Sequence, residues 1–294
     1  DDAWQWQQRF QFTRKVAYSP RKDVHGCVVE GFIRRASAFA MVTPRDIEKT
    51  LLPYLDAGKQ VLIQATCSYM LNPVIRCLHE MGIPYGNSLR PNNGHWQSLP
   101  QKRGRGFTVV DRVIAFSRPC ANLWGELAHF WTPGELKAWT SALPVTGIFS
   151  RGGQSAIQGL SDDVSDEEMS DACSTWFTEE ALRAIVPKPD LTWYLAHIKG
   201  SDNLRAHVDN VIRRYGVQKL QEKPLVQIGT IHSVKGGEAD IVWLSPDLSL
   251  EASSAAHKDA QSAEELRRVF YVGCTRAKEG LLLADASTCN CVRW

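Results

Sequence analysis

The sequence lacks the features that would tie it to a membrane or give it a strong charge of one sign. No apolar run approaches the length of a membrane span, and no stretch resembles a secretory signal. The formal net charge is only +2, so bulk charge argues neither for nor against nucleic acid as a partner. With 294 residues and a hydrophobic fraction of 44%, the chain can form one large or two modest domains. We therefore expect a globular protein with no membrane partner.

Closely paired cysteines are almost absent. The eight cysteines are scattered along the chain, and no C-x-x-C pair occurs. Cys289 and Cys291 form a lone close pair, which by itself does not define a metal site. This pattern favours reduced thiols in a cytoplasmic protein, and we expect no bound metal.

Familiar catalytic signatures are missing as well. The phosphate-loop pattern G-x-x-x-x-G-K-[ST] does not occur, and the nearest sequence, Gly58-Lys59-Gln60, has Pro53 where the first glycine should be. The acidic run Asp166-Glu167-Glu168 follows no apolar strand, so it is not a magnesium-binding box. A zinc-protease H-E-x-x-H, a Ser-His-Asp elbow and a clustered nuclease constellation are also absent. The sequence therefore contains no motif that could hold ATP by itself.

The first third of the chain alternates strand and helix signals. Apolar runs bounded by turn residues are typical of buried strands, and Thr43-Pro44 is a good helix start. The predicted elements are strands at 26–32, 61–65 and 83–85, and helices that run from Pro44 to a stop at Gly58 and from Asn72 to His79. Alternation of this kind predicts a parallel sheet with right-handed crossovers.

A mostly helical block follows. Its start is marked by a loop and by the basic patch at 102–105, for which a solvated loop and a DNA backbone contact both stay open. The predicted elements are helices at 123–130, 132–143, 165–177, 178–186 and 201–215, with a Gly/Ser linker at 147–159. We therefore predict three segments: residues 1–95 begin an α/β domain, 96–223 are inserted, and 224–294 complete the α/β domain.

The most informative stretch begins after the apolar run Leu225 to Ile228, which predicts a buried strand. The next residues read Thr230-Ile231-His232-Ser233-Val234-Lys235-Gly236-Gly237-Glu238, and a second strand is predicted at 241–244. Polar groups at the end of a buried strand, followed by a glycine pair, are typical of a ligand site at the rim of an α/β sheet.

A second segment, Glu264 to Glu279, predicts an amphipathic helix. Ser262 and Glu265 match a capping box, and apolar residues then recur at spacings of three and four. Arg276 falls near the end of this helix, just before a strand predicted at 281–284. Two interpretations of Arg276 follow from the pattern alone: it complements the helix dipole, or it acts at a site.

Together the two segments resemble motifs V and VI of the superfamily 1 DNA helicases of the UvrD/Rep type. The family patterns are roughly T-[IM]-H-[SQ]-x-K-G-x-E and E-E-x-R-R-x-x-Y-V-[AG]-x-T-R-A-K-[EQ], and the chain matches both in the right order. The resemblance is clear for residues 225–284 and looser for 28–85. It implies a RecA-like parallel sheet of the P-loop NTPase type, interrupted by a mostly helical inserted subdomain.

The resemblance also implies roles at a nucleotide site. Arg276 corresponds to the catalytic arginine that reaches the γ-phosphate from a neighbouring domain. Glu238 corresponds to the carboxylate that binds the ribose, and Gly237 lets the backbone approach. Lys235 is expected near phosphate, of either nucleotide or DNA, and Arg268 in the network around the nucleotide.

Other matched positions are expected to face DNA. Thr230 and His232 match positions along the single strand, where hydroxyl and imidazole groups suit phosphate and sugar contacts. Ser68 follows the strand at 61–65, where family members often carry an Arg and an Asn. The hydroxyl of Ser68 can still bind a phosphate, without a charge.

The resemblance implies the C-terminal half of an ATP-dependent 3′–5′ DNA helicase. Its expected partners are single-stranded DNA, ATP and the N-terminal helicase domain of the same protein, which would hold ATP and Mg²⁺. The chain opens without Met, and we expect it to be a piece of a longer protein. A non-catalytic RecA-like module that binds DNA or protein is the alternative.

Overall fold

The computed structural model describes residues 33–90, 96–99, 106–118, 130–186 and 188–292. The chain divides into two compact units, of which the second runs over residues 99–223 and the first comprises the residues on either side. The strand predicted at 26–32, the basic patch at 102–105 and nearly all of the helix predicted at 123–130 lie outside the described residues.

Six parallel strands form one sheet in the first unit. They are β1 (Ile33–Ala36), β2 (Val61–Ala65), β3 (Tyr85–Gly86), β4 (Val226–Thr230), β5 (Ala239–Leu244) and β6 (Ala277–Ala284). Their order across the sheet is β1-β6-β5-β2-β4-β3. The predicted α/β class with a parallel sheet is therefore confirmed, and the strands predicted from apolar runs at 61–65, 225–228 and 241–244 are present.

Helices connect the strands of the first unit and form the second unit. In the described residues they are α1 (Pro44–Thr50), α2 (Leu52–Asp56), α3 (Asn72–Glu80), α4 (Val109–Ser117), α5 (Pro133–Thr140), α6 (Gly153–Gln158), α7 (Asp166–Trp176), α8 (Glu179–Ile185), α9 (Leu191–His197), α10 (Asp202–Tyr215), α11 (Leu250–Lys258) and α12 (Ala260–Cys274). Helices α4 to α10 lie in the second unit. No helix in the described part of the chain has the length and apolar character needed to cross a lipid bilayer.

Both faces of the sheet are covered, which is the usual condition of an all-parallel sheet. On one face Ile63 packs in a core with Ile47 of α1 and Leu78 of α3. On the other, Leu62 packs in a core with Phe270 of α12. Successive strand residues thus enter opposite cores, so the interior strands are mainly apolar on both faces.

The start of α12 differs from the prediction. Its N-cap is Asp259, whose side chain accepts hydrogen bonds from the backbone N–H groups of Gln261 and Ser262. Ser262 lies inside the first turn, and its hydroxyl donates to Asp259 (2.8 Å). The capping box predicted at Ser262 is therefore wrong, because the chain leaves α11 at Lys258 and has only Asp259 between the two helices.

The second unit has an aromatic core. Phe116 and Tyr194 stack with ring centroids 4.3 Å apart, and Trp139 stacks on Phe177 at 5.5 Å. The Tyr194 hydroxyl donates to the backbone carbonyl of Trp139 (2.8 Å), so the buried phenol is satisfied. The Gly/Ser linker predicted at 147–159 is wrong, because α6 lies within it and is packed in this unit.

Candidate functional site

The motif V segment, residues 230–238, connects the two ends of the strands in the sheet. It runs from the side where the strands end, the carboxyl edge, to the side where they begin, the amino edge. Thr230 ends β4 and is the register partner of Ala65, so it lies at the carboxyl edge. Ala239 begins β5 opposite Ala277, the first residue of β6, at the amino edge. Between them Ile231 and Val234 are buried in the core beneath α12. Residues 231–238 therefore cross that face of the sheet and connect its two edges.

Thr230 holds the start of this crossing in place. Its hydroxyl oxygen accepts a hydrogen bond from the Ser233 backbone N–H (3.1 Å), and its carbonyl accepts from the Ser233 hydroxyl (2.9 Å). These bonds close the first turn after β4 in the way that an N-cap closes a helix. The Thr230 hydroxyl acts as an acceptor here and keeps its own proton for a further partner.

Gly236 and Gly237, in the segment 231–238, are suited to their positions for two different structural reasons. Gly236 has φ +92°, a left-handed conformation that glycine adopts without strain. A Cβ on Gly237 would lie 3.1 Å from Leu89 and 3.2 Å from the carbonyl oxygen of Val234. A side chain at Gly237 would require Leu89 and the Val234 carbonyl to move by a few tenths of an ångström, and the flanking Lys235 and Glu238 are exposed.

Three candidate DNA-binding residues lie at the carboxyl edge. His232 is exposed and Ser68 is partly buried, and neither side chain makes a hydrogen bond within the described residues. Ser68 opens a 3₁₀ turn (Ser68–Leu71) that contacts the ends of both β2 and β4, the strand that ends at Thr230. The structure thus brings Ser68 to the same edge as Thr230 and His232.

Asp247 is a residue of this edge that the sequence reasoning did not single out. It is 3% exposed, and its carboxylate accepts from the Ser245 hydroxyl (3.0 Å) and the Ser287 backbone N–H (2.8 Å). The Thr66 hydroxyl donates to the Asp247 carbonyl (2.8 Å), so Thr66 already uses its proton. The sequence signal for this cluster was the pair of polar residues, Ser245 and Asp247, that follows the apolar run of β5. The hydrogen bonds of Asp247 connect the ends of β2 and β5.

Arg276 lies at the opposite, amino edge. It follows α12 and immediately precedes β6, and its carbonyl accepts a hydrogen bond from the backbone N–H of Ala239 (3.1 Å). Its Nε is buried and makes no hydrogen bond with any residue that the structure describes. A buried N–H group without a partner is uncommon in a folded protein. The side chain therefore has capacity to bind an anion, while its place at the helix end also satisfies the dipole interpretation.

Two pairs of oppositely charged side chains lie at this edge. Glu238 lies 3.9 Å from Lys278, and each side chain is about half exposed, at 47% and 53%. Lys59 pairs with Glu279 at 2.7 Å. Exposed pairs of this kind contribute little to stability. Glu238 can therefore leave its ion pair with Lys278 for a hydrogen-bonding partner at little cost.

Arg268 is positioned differently from Arg276. It lies on α12, about 9 Å before the helix ends at Cys274 by the rise of an α-helix, and pairs with Glu264 one turn earlier. Among the described residues, no hydrogen bond or ion pair joins Arg268 to Arg276 or Glu238. The structure thus places Arg268 on the helix that Arg276 follows, without a hydrogen bond or ion pair to Arg276 or Glu238 among the described residues.

An all-parallel α/β sheet with an inserted helical unit is consistent with a RecA-like domain. Residues 197–288 match the family model described as the UvrD-like helicase C-terminal domain. That part of the chain is therefore a helicase C-terminal region of the UvrD/Rep type, and the resemblance is confirmed there. The matched range contains every candidate site residue except Ser68. No curated protein matches the chain.

Proposed function

We propose that the chain is the C-terminal motor domain of an ATP-dependent helicase or translocase that moves 3′ to 5′ on single-stranded DNA. It would supply the arginine finger and part of the DNA track. The proposal is carried by the continuous segment 231–238, which connects the residues matched to DNA at one edge with those matched to nucleotide at the other. The direction of movement rests on the family resemblance alone.

The carboxyl edge would bind the DNA strand. Thr230, His232 and Ser68 present hydroxyl and imidazole groups, which suit phosphate and sugar oxygens and carry no base specificity. His232 and Ser68 have no hydrogen-bonding partner among the described residues, so binding a strand would break no existing bond of theirs. Contacts of this kind suit a motor that must move over any sequence.

The amino edge would take part in ATP binding. The Nε of Arg276 has no hydrogen-bonding partner among the described residues, and a phosphate oxygen that reached it after a movement of the side chain would satisfy it. Arg276 would bind the γ-phosphate, Glu238 the ribose hydroxyls and Lys235 a phosphate, with Gly237 allowing close backbone approach and Arg268 acting in the surrounding network. ATP with Mg²⁺, held mainly by a domain with a phosphate loop, supplies the phosphoryl group whose hydrolysis drives movement.

The role of this chain in the reaction is electrostatic and mechanical. The Arg276 guanidinium would neutralise charge that develops on the phosphoryl oxygens, an effect worth several orders of magnitude in rate. The hydrogen bond from Ala239 to the Arg276 carbonyl joins the arginine to the crossing segment. A shift of Arg276 on nucleotide binding would therefore be passed through Ala239 to the segment 231–238, which contains His232 near its start.

Binding of a fluorescent oligodeoxythymidine tests the DNA edge. We expect His232→Ala to weaken binding severalfold, because it removes a contact to the strand. His197→Ala is the matched control, since His197 is also exposed but lies on α9 in the second unit. Equal affinity of His232→Ala and the wild-type protein would count against the DNA edge.

Hydrolysis separates the helicase from the alternative, a non-catalytic module. The chain alone should hydrolyse no ATP even with saturating single-stranded DNA, because it contains no phosphate-loop sequence. Turnover by the chain alone would overturn the assignment of domain roles. The second measurement is hydrolysis with the phosphate-loop domain present. If substitution of Arg276 does not change hydrolysis there while the chain still binds DNA, the non-catalytic binding module is favoured.

A further inference from the structure

An aromatic ring is exposed at the carboxyl edge of the sheet. Tyr69 is 57% exposed and lies in the 3₁₀ turn that opens with Ser68. The same turn contacts the end of β4, where Thr230 and the crossing segment begin. Neither the motif resemblance nor the family match, which covers residues 197–288, assigns a role to Tyr69.

The turn that carries Tyr69 is held firmly. Leu71 is fully buried in the sheet core, and the Thr66 hydroxyl contacts the Met70 sulfur (3.4 Å). Partial desolvation and the nearby Cys67 thiol raise the pKa of Tyr69. An aromatic ring on a fixed turn loses little conformational entropy when it binds a ligand.

A second exposed apolar side chain lies on the neighbouring turn. Met41 is 75% exposed and ends the 3₁₀ turn Phe39–Met41, which contacts the Tyr69 turn. The Met41 turn is fastened by a hydrogen bond from the Ala40 backbone N–H to the Ser287 hydroxyl (3.1 Å) and by the buried Phe39. Two fixed turns therefore present a thioether and an aromatic ring to solvent at one edge.

We propose that Tyr69 is a stacking platform for a nucleobase of the bound single strand. This inference rests on the proposed function and adds a base contact to an edge that otherwise offers only phosphate and sugar contacts. Every base has a π-face, so stacking tolerates any sequence and suits a translocating motor. The hydroxyl and imidazole groups of Ser68, Thr230 and His232 at this edge match a sugar-phosphate backbone, which favours a nucleic acid over an apolar protein segment.

Substitution of Tyr69 combined with an abasic strand tests the platform. Tyr69→Ala should weaken binding of oligodeoxythymidine about 5- to 100-fold, the range expected for the loss of one stacked base. Tyr69→Phe keeps the ring and should bind within about twofold of wild type by the same reasoning. An abasic oligonucleotide of equal length keeps the phosphates, so wild type and Tyr69→Ala should bind it equally.

Photocrosslinking gives a readout that a purely structural role would not change. A strand with single 5-iodouracil substitutions should crosslink to the peptide containing Tyr69, and the crosslink should disappear in Tyr69→Ala. A crosslink that maps elsewhere, or equal weakening on abasic and normal strands, would overturn the platform.

The outcomes separate this inference from the proposed function. If His232→Ala weakens DNA binding and Tyr69→Ala does not, the DNA edge stands and the platform is overturned. If the wild-type protein binds no single-stranded DNA, the DNA edge fails and the platform with it. Capture of an apolar peptide that Tyr69→Ala abolishes, without any effect on DNA, would reassign the surface to a protein partner.

Discussion

At the scale of single residues, Arg276 gives the sharpest prediction. Arg276→Ala should reduce ATP hydrolysis about 10³- to 10⁵-fold in the protein assembled with its phosphate-loop domain, because the charge of the finger acts mainly in the transition state. Nucleotide binding, measured with a fluorescent ATP analogue, should change only a few fold. Arg276→Lys should rescue little, since an ammonium does not reproduce the planar fork of a guanidinium.

Arg183→Ala is the matched control for this prediction, because Arg183 is an exposed arginine in an i,i+4 pair with Glu179 on α8. Hydrolysis by the control should equal that of the wild type. Normal turnover in Arg276→Ala would leave the helix-dipole interpretation as the only role of Arg276, and unfolding measurements would then show the loss as a change in stability.

His79 gives a prediction about pH. Burial lowers the pKa of His79, whose Nε2 lies 3.0 Å from the Tyr85 hydroxyl. The unfolded chain, with a histidine pKa of about 6.5, therefore binds a proton more readily than the folded one. The stability contributed by neutral His79 is complete above about pH 6.5 and is lost as the pH falls toward the lowered folded-state pKa.

The measurement is urea unfolding at pH 7.5 and 5.5. His79→Gln removes the proton uptake and keeps a hydrogen-bonding side chain, so it should lose less stability on acidification than the wild type does. His197→Gln, at an exposed histidine, should keep the wild-type dependence. Identical pH dependence in all three proteins would show that His79 does not control this response.

At the scale of secondary-structure elements, the placement of α12 depends on Gly273. A Cβ there would lie 3.3 Å from Leu244 of β5 and 3.5 Å from the Oε1 of Gln64 on β2. Gly273→Ala should therefore gain less of the roughly 1 kcal/mol that alanine contributes over glycine in a helix than Gly134→Ala gains, because Leu244 must shift to admit the new methyl group. Gly134→Ala in α5 is the control, because its Cβ meets open space; it should be neutral or stabilise by up to about 1 kcal/mol.

Local patterns predicted the elements that carry a continuous or periodic apolar signal. β2 was found because all five of its residues are buried, and α10 because its buried face repeats at helical spacing. The helix α11 was missed because its Ala/Ser-rich sequence has Ser253 as its buried residue and no apolar stripe. The start of α6 depends on Gly153, where a Cβ would lie 2.1 Å from the Trp176 carbonyl oxygen, a tertiary contact that no local pattern shows.

The site was predicted one motif at a time, and its arrangement was not. The sequence placed His232 after a strand and Arg276 after a helix. That the two lie toward opposite edges follows from the strand order β5-β2-β4 and from the crossing of residues 231–238, which are non-local. Tyr69 carried no sequence signal, since one aromatic residue in a mixed segment is as easily explained as part of the core. Its exposure became evident only from the structure.

At the scale of the whole molecule, the inserted second unit leaves and rejoins the first unit beside one strand. Ser98 donates its backbone N–H to the Tyr85 carbonyl of β3 (3.1 Å), and its hydroxyl accepts from the Tyr85 N–H (2.9 Å). Pro224, where the chain returns, lies against Gly86 of the same strand. Insertions with neighbouring ends are tolerated because the host keeps its own core.

Replacement of residues 99–223 by a short Gly/Ser linker should therefore leave a folded α/β unit. Its sheet cores contain no residue of the second unit, so we expect cooperative urea unfolding and a far-UV circular dichroism spectrum with both helix and strand. The variant should bind single-stranded DNA with a loss of affinity on His232→Ala as large as in the complete chain, because the carboxyl edge belongs entirely to the first unit. A folded variant that no longer binds DNA would place the DNA contacts in the second unit.

A variant that fails to unfold cooperatively would show that the sheet needs the second unit for its stability, although the cores of the sheet contain no residue of that unit.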